Sequence, residues 1–409
     1  MRALQRVVGH PSLAGLLLAG SAFAFTGAPG SIGDFMAAGG GLFVLNLAVG
    51  CYRTEDATGG HLAALALIGI LAFCGAVLPG VAAQTRSLRY LLLTPGMIML
   101  WHVFSRQVTG VLPRVLTAAS VVTLCACVTL QFIRVRLPGE SARFGFYDNP
   151  HHLGLFASLA LVLLAWTAMR LDGWRRALTA PWVLAATYLL WHSGSRISWV
   201  VFFSSLLLAA LLFLPRRRVA AVLGGVLAAS AAGAWFSGFA SIGARIGDLR
   251  AHFWSDERWE VWPATLRLLG ENTLWEWLFG HGIGNFRLER IRVSAADDLQ
   301  TYAFPHNAAL QLIYENGIVG LVIVFGGTAA LFWALWRSRR RPLEAPTGYA
   351  SAVLFALLAV VTGHCLLTKS VYSKFTLYLA SLVIGASLVR LENAGVLKPW
   401  KTRWKRFES

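Results

Sequence analysis

Apolar runs of membrane-spanning length recur from one end of this chain to the other, and they leave few choices of fold. A helix crossing hydrocarbon needs about 20 predominantly apolar residues, and about twelve segments here approach that length. They fall at 11–28, 31–50, 61–83, 90–104, 111–131 and 151–169, then at 177–191, 197–214, 219–236, 308–336, 347–367 and 371–390. Backbone amides and carbonyls find no water in lipid, so each run is expected to be a helix that satisfies its own hydrogen bonds. Composition agrees: 56 % of residues are hydrophobic and 13 % charged, where a soluble domain is nearer ~25 % charged. The expected class is all-α, a single integral membrane domain over 1–409. The 90–104 run, short and interrupted by Pro95, and the 177–191 run are the poorest fits to a full span.

The first residues, Met1 to Arg6 before an apolar run and Ala22-Phe23-Ala24, resemble a cleavable leader. A second apolar run follows almost at once, so a retained first helix is the expectation. Basic residues set the orientation. With the amino terminus in the cytoplasm, twenty Lys and Arg fall on inner loops and the tail, against eight on short outer loops. Both termini are then cytoplasmic and the one long polar interval, 237–305, faces outward. The net charge of +17 is explained by that inner bias and by anionic lipid, so nucleic-acid binding is not needed to account for it. Cys51, Cys74, Cys125, Cys127 and Cys365 lie in or beside apolar runs, and 237–305 has none, so no disulfide or metal framework is implied there.

Five polar islands fall on the outer face in this orientation. They are Asn149-Pro150-His151-His152, the turn His192-Ser193-Gly194-Ser195-Arg196, and Ser255 to Trp262 with Arg258 at its centre. The last two are the glycine-rich Phe279 to Phe286 and Pro305-His306-Asn307, which leads into a helix continuing through Glu315-Asn316-Gly317. Together these motifs resemble the O-antigen ligase and polymerase superfamily of bacterial envelope glycosyltransferases. The resemblance rests on Ser193–Arg196, Arg258 with Trp262, Gly282–Phe286, His306-Asn307 and Glu315 to Gly317, in that order; outside these motifs it is one of topology only.

The resemblance implies a polytopic inner-membrane enzyme acting at the periplasmic face. Its donor would be an undecaprenyl-pyrophosphate-linked glycan and its acceptor a sugar hydroxyl of the lipid A-core oligosaccharide, with inverting, metal-independent transfer and no cofactor. His306 is the expected general base, since imidazole titrates near neutrality, at about 6.5 unperturbed. Arg196 and Arg258 are expected to hold the pyrophosphate, because a guanidinium fork binds phosphate oxygens bidentately and stays charged when partly desolvated. Ser193, Ser195, Asn149, Trp262, His281, Asn307 and Lys369 are the expected substrate-binding groups. The stretch around Arg258 reads as an interfacial amphipathic helix anchored by Trp254, Trp259 and Trp262.

Other readings stand beside these. Each arginine can instead snorkel to lipid phosphate, and His306 can cap or pack a helix. Asp297-Asp298 can bind a metal, but one acidic pair lacks the remaining ligands, which favours a solvated loop, and the outer carboxylates single out no acid pair for glycoside hydrolysis. The nearest alternative functions are O-antigen polymerase and protein O-oligosaccharyltransferase, with the same chemistry and another acceptor. The short basic tail after Arg390 favours the lipopolysaccharide acceptor. A transporter of envelope precursors is the alternative from another class; it would place ionisable groups along a mid-membrane path, where this chain has Asp34 and isolated His102 and His364.

Overall fold

A computed structural model describes residues 59–79, 85–107, 112–135, 150–214, 224–225, 228, 231, 258–286, 288–291, 300–302, 305–340, 351–368 and 371–397. The described helices are α1 (Gly59–Ala76), α2 (Thr85–Gln107), α3 (Leu112–Val135), α4 (Pro150–Arg170), the single turn α5 (Trp174–Ala177) and α6 (Ala180–His192). They continue as α7 (Arg196–Phe213), α8 (Arg258–Gly270), α9 (Leu274–Phe279), α10 (Ala308–Arg337), α11 (Ser351–Leu367) and α12 (Lys374–Asn393). Among the described residues α4, α7 and α10 are long and apolar enough to cross a membrane. The runs at 11–28 and 31–50, and most of 219–236, lie outside the described residues, as does Trp254.

Nine expected runs thus coincide with helices, and Pro95 is accommodated inside α2. Among the described residues the departure from an all-helical chain is a small antiparallel ribbon, β1 (Leu288–Ile291) against β2 (Gln300–Tyr302). Its pairs Leu288–Tyr302 and Ile291–Gln300 leave one extra residue on β1, a bulge that twists the ribbon locally.

Close helix crossings fall where side chains are small. A Cβ on Gly154 of α4 would overlap Ser198 of α7, and one on Gly363 of α11 would lie 2.7 Å from Val201 of α7. Small residues let backbones approach where lipid tails give no hydrophobic drive toward helix pairing. Buried hydroxyls turn back to their own helix: Ser120, Ser158, Thr187 and Ser381 donate to the carbonyls of Leu116, Gly154, Val183 and Leu377. That removes the cost of an unmet polar group in an apolar interior.

Two sets of polar contacts define the ends of the bundle. At one end Ser338, just past α10, bonds Ser351 at the start of α11. Arg390, near the end of α12, donates to both the Ser351 hydroxyl and the Ser338 carbonyl. His102 of α2 meets Glu392 of α12 there, Nε2 to Oε1 at 2.9 Å, so the histidine that stands isolated in the sequence is paired in the fold. At the opposite end, here called the rim, Val371 beyond α11 bonds Gln311 near the start of α10. Asn316 of α10 bonds the Leu71 carbonyl of α1, and His151 of α4 bonds Ser195 before α7. The starts of α4, α7, α10 and α12 and the ends of α1, α6 and α11 therefore share the rim.

Gly385 lets α12 lie against α2, since a Cβ there would sit 2.5 Å from the Trp101 Cβ and 2.8 Å from the Ile98 carbonyl. Gly385→Ala is expected to part these helices at a cost of about 1–3 kcal/mol, read as a lower thermal midpoint in detergent. Gly69→Ala, where a methyl meets nothing within 4 Å, is the control and should leave the midpoint unchanged or slightly raised.

Candidate functional site

The turn between α6 and α7 is built by three hydroxyls and one glycine. Gly194 takes φ 69, which reverses the chain without a Cβ penalty. Ser193 donates to the Leu190 carbonyl at 2.7 Å and accepts from the Ser195 amide at 3.2 Å. Ser195 caps α7, accepting from the Ser198 amide and, at 2.6 Å, from the Ser198 hydroxyl. Its oxygen also lies 2.8 Å from His151 Nδ1, which ties the turn to the start of α4. His192 stacks on Tyr188. Arg196 is then the first residue of α7 and is exposed. A cation at a helix N-terminus adds its charge to the partial positive charge of the free amides, and the pair favours an anion.

The glycine-rich turn after α9 is fixed by α10. Gly317 breaks the helical conformation of α10 with φ 64 and ψ −167, which frees carbonyls of the preceding turn. The amides of His281 and Gly282 donate to the Tyr314 and Glu315 carbonyls at 2.8 and 2.9 Å. The Ile283 amide reaches the Gly75 carbonyl of α1, also at 2.8 Å. A Cβ on Gly280 would overlap the backbone of Glu315 and Asn316, and one on Gly317 the backbone of Leu278 and Phe279. Glycine is needed at both positions by conformation and by space alike.

Glu315 is 0 % exposed, and three donors converge on its carboxylate. The Gly284 amide donates to Oε2 at 2.8 Å, while the Phe286 amide at 3.4 Å and Gln311 Nε2 at 3.1 Å donate to Oε1. Gln311 then accepts from the Val371 amide through its own oxygen at 3.0 Å. Asn316, alongside, accepts from the Tyr372 hydroxyl and donates to Leu71.

His306 stands just ahead of α10. It is the positive-φ non-glycine residue among those described, at φ 51. For a residue with a Cβ that conformation is uncommon and persists only where the surroundings hold it. Two neighbours do so. Asn307 caps α10, its side-chain oxygen accepting from the Ala309 and Leu310 amides. Trp262 of α8 donates its indole N–H to the Pro305 carbonyl at 3.0 Å. Arg258 is the first residue of α8, one helical turn before Trp262 and on the same face. A small second core of Val261, Ala264 and Phe286, with Trp262, Leu268 and Tyr314 against it, packs α8 onto the glycine turn and α10.

Several expectations change in detail. Trp262 is turned to the Pro305 backbone rather than outward as an interfacial anchor, whereas Trp259 is 43 % exposed. Asn307 spends its side-chain oxygen on the helix cap. His281 is held by the protein through its ring face and its nitrogens. Its Nε2 lies 2.9 Å from Asn272 Oδ1, its ring packs on Tyr314, and Nδ1 is 3.6 Å from Glu276. Glu276 closes a capping box with Thr273, whose amide and hydroxyl hold its carboxyl below the usual range. Asn149 and Lys369 lie outside the described residues. No group of three His, Cys, Asp or Glu is placed to hold a metal among those described.

The structure thus brings Ser193, Ser195, Arg196 and His151 together at one part of the rim. Arg258, Trp262, His281, His306 and Asn307 gather around α8 and the start of α10. Sequence reasoning noted Glu315 only as part of a motif. The signal for its weight was available: an ionisable side chain with Gln311 and Asn316 beside it, inside a run otherwise long and apolar enough to span. Gly317→Ala is expected to be strongly damaging, because the methyl meets a fixed backbone and φ 64 with ψ −167 is a conformation open essentially to glycine alone. A loss of folded, monodisperse protein on extraction is the expected readout, while Gly326→Ala, open around its Cα, should behave as wild type.

Residues 181–325 match the family model described as O-antigen ligase. The matched stretch runs from α6 to the middle of α10, and so takes in the Ser193–Arg196 turn, Arg258, the glycine turn, His306 and Glu315. A comparison with curated proteins gives no match. Over these residues the chain is similar to the O-antigen ligase family, whose members are membrane glycosyltransferases of the ligase and polymerase type.

Proposed function

We propose that the protein transfers a glycan from an undecaprenyl-pyrophosphate-linked donor to a sugar hydroxyl of the lipid A-core oligosaccharide. In this reading about twelve helices span the inner membrane, both termini are cytoplasmic, and the rim with the 237–305 segment opens to the periplasm. The observation that supports it is that two arginines at helix starts and a histidine at a helix entrance lie at the same end of the bundle. Both substrates are lipid-anchored, so a site at the ends of membrane helices meets them at headgroup depth.

In the proposed reaction His306 takes the proton of the acceptor hydroxyl as its oxygen attacks the anomeric carbon. The bond from that carbon to the pyrophosphate oxygen breaks on the opposite face, which inverts the configuration. Undecaprenyl pyrophosphate leaves with the bonding electrons and one added negative charge. Arg196 and Arg258 receive that charge, and donors already in place cost no reorganisation as it develops. Ser193 and Ser195 shape the Arg196 turn, Trp262 and Asn307 hold the backbone on either side of His306, and Asn149, His281 and Lys369 complete the substrate surface in this proposal.

A transport path gains no support from the polar groups of α10. The Glu315 carboxylate is buried and is taken up by backbone and amide donors. The polymerase and protein-directed alternatives share the chemistry proposed here and differ in acceptor, which product analysis distinguishes.

Purified protein incubated with lipid-linked glycan and candidate acceptors tests the reading; transfer to lipid A-core supports it, and transfer only to glycan or protein replaces the acceptor. His306→Ala is expected to lower turnover by about 10²–10⁴-fold with donor binding retained, and near-normal turnover would remove His306 as the base. Arg196→Lys should lose most activity, because a point charge does not reproduce a bidentate fork. Full activity in excess chelator is the expected result for metal-independent transfer, and loss restored by a divalent ion would overturn it.

A further inference from the structure

We propose that Glu315 is a positioning residue of the transferase site. With Gln311 it locks the glycine turn, and the turn between α11 and α12, onto the first part of α10, the helix that His306 leads into. The proposal rests on the transferase reading for its kinetic consequence, and on the hydrogen-bond geometry alone for the linkage.

The chemistry of the contacts singles out a carboxylate. All three described partners of Glu315 are donors: two backbone amides from the glycine turn and the Gln311 side-chain amide. An ionised carboxylate accepts on both oxygens and matches all three. A glutamine of the same shape presents an NH2 group to one side or the other, and in either orientation a donor then faces a donor. Gln311 completes the linkage because its amide is used at both ends, donating to Glu315 and accepting from the Val371 amide. Residues 311 and 315 are one helical turn apart, so both side chains lie on one face of α10.

The linkage joins three separately coded walls of the site. The glycine turn packs through Phe286 on α8, which carries Arg258 and holds Pro305 beside His306. The turn after α11 is held by Val371 on Gln311 and by the Tyr372 hydroxyl on Asn316. Glu315 itself is fully buried with its acceptors engaged, which suits a group acting through its neighbours rather than on the substrate.

Two variants test this, Glu315→Gln and Gln311→Leu, each compared with wild type in hydrogen exchange and steady-state kinetics. Glu315→Gln is expected to speed amide exchange in both 280–286 and 371–373, and Gln311→Leu mainly in 371–373. Per folded molecule, Glu315→Gln should lower kcat by about 10²-fold, the scale of an ångström-sized misplacement of reacting groups. The KM for lipid-linked donor should stay within a factor of about three, the pattern of a contact that serves the transition state. Unchanged exchange at 280–286, a kcat within twofold of wild type, or a loss seen only in KM would each overturn the proposal. Failure of both variants to fold would also overturn it, since the pair would then be needed for folding rather than for positioning. If wild-type protein transfers no glycan, the functional reading fails, while the exchange pattern still decides whether the linkage exists.

Discussion

The rim depends on one seam, where the backbone of 278–286 lies directly against the backbone of 314–317. Two glycines make it possible. Gly280 and Gly317 each stand where a Cβ would overlap the opposing chain, and the break at Gly317 turns carbonyls of α10 toward the amides of the glycine turn. Glu315 then takes up amides that the turn leaves over. An uncompensated buried charge costs several kcal/mol, and breaking a buried pair by removing one partner typically costs about 3–5 kcal/mol. Three donors offset part of that cost for Glu315 and tie the glycine turn to α10. Position along α10, conformation of the glycine turn and attachment of α1 through Asn316 and Gly75 are therefore set together.

The rest of the rim is ordered by the same device on a smaller scale, with hydroxyls and amides spent on helix ends. Ser195 caps α7, Asn307 caps α10, Ser373 caps α12 and Thr273 caps α9. Free helix-end amides are tolerable near water and expensive in lipid, so capping groups gather where helices leave the bundle. Cations at such ends gain from the helix dipole only when an anion shares the site. Arg196 at the start of α7 and Arg258 at the start of α8 are in that position.

The sequence is legible where a single period or a single residue type decides the outcome. Apolar length located the helices, and the Ser193–Arg196 turn and the helix start after Pro305 were marked locally, whereas Asn307, read as a substrate group, caps α10. The polar islands could be placed on one side from basic-residue counts alone, and contacts such as His151–Ser195 and Gln311–Val371 bring their described members to one end of the bundle. Long-range pairing was not legible. Nothing local announces that Trp262 spends its indole on Pro305, that His102 meets Glu392, or that Glu315 faces Gly284 rather than a substrate. Those facts depend on which helices become neighbours, and in an apolar bundle small-residue contacts choose the neighbours without leaving a distinctive pattern in either helix. The β1–β2 ribbon was missed for a related reason, since strands this short are specified by each other and by their bulge more than by alternation.

The polar interval at 237–305 looks self-contained in the sequence, but its described part does not act as an independent unit. Helix α8 reaches its place through Val261 and Trp262, the glycine turn through α1 and α10, and His306 through a cap that belongs to α10. These attachments lead to the first part of α10 and the end of α1. On the proposed reaction this division of labour has a physical logic. A site confined to a soluble insert would have to draw two lipid-anchored substrates out of the interface, at a cost in exposed hydrocarbon of about 25 cal/mol for each Å2. A site assembled from helix ends leaves both lipid tails where they are. It then needs rigid cross-links between helices that share no strand ladder or disulfide, and the Glu315–Gln311 pair, buried and directional, is a cross-link of that kind.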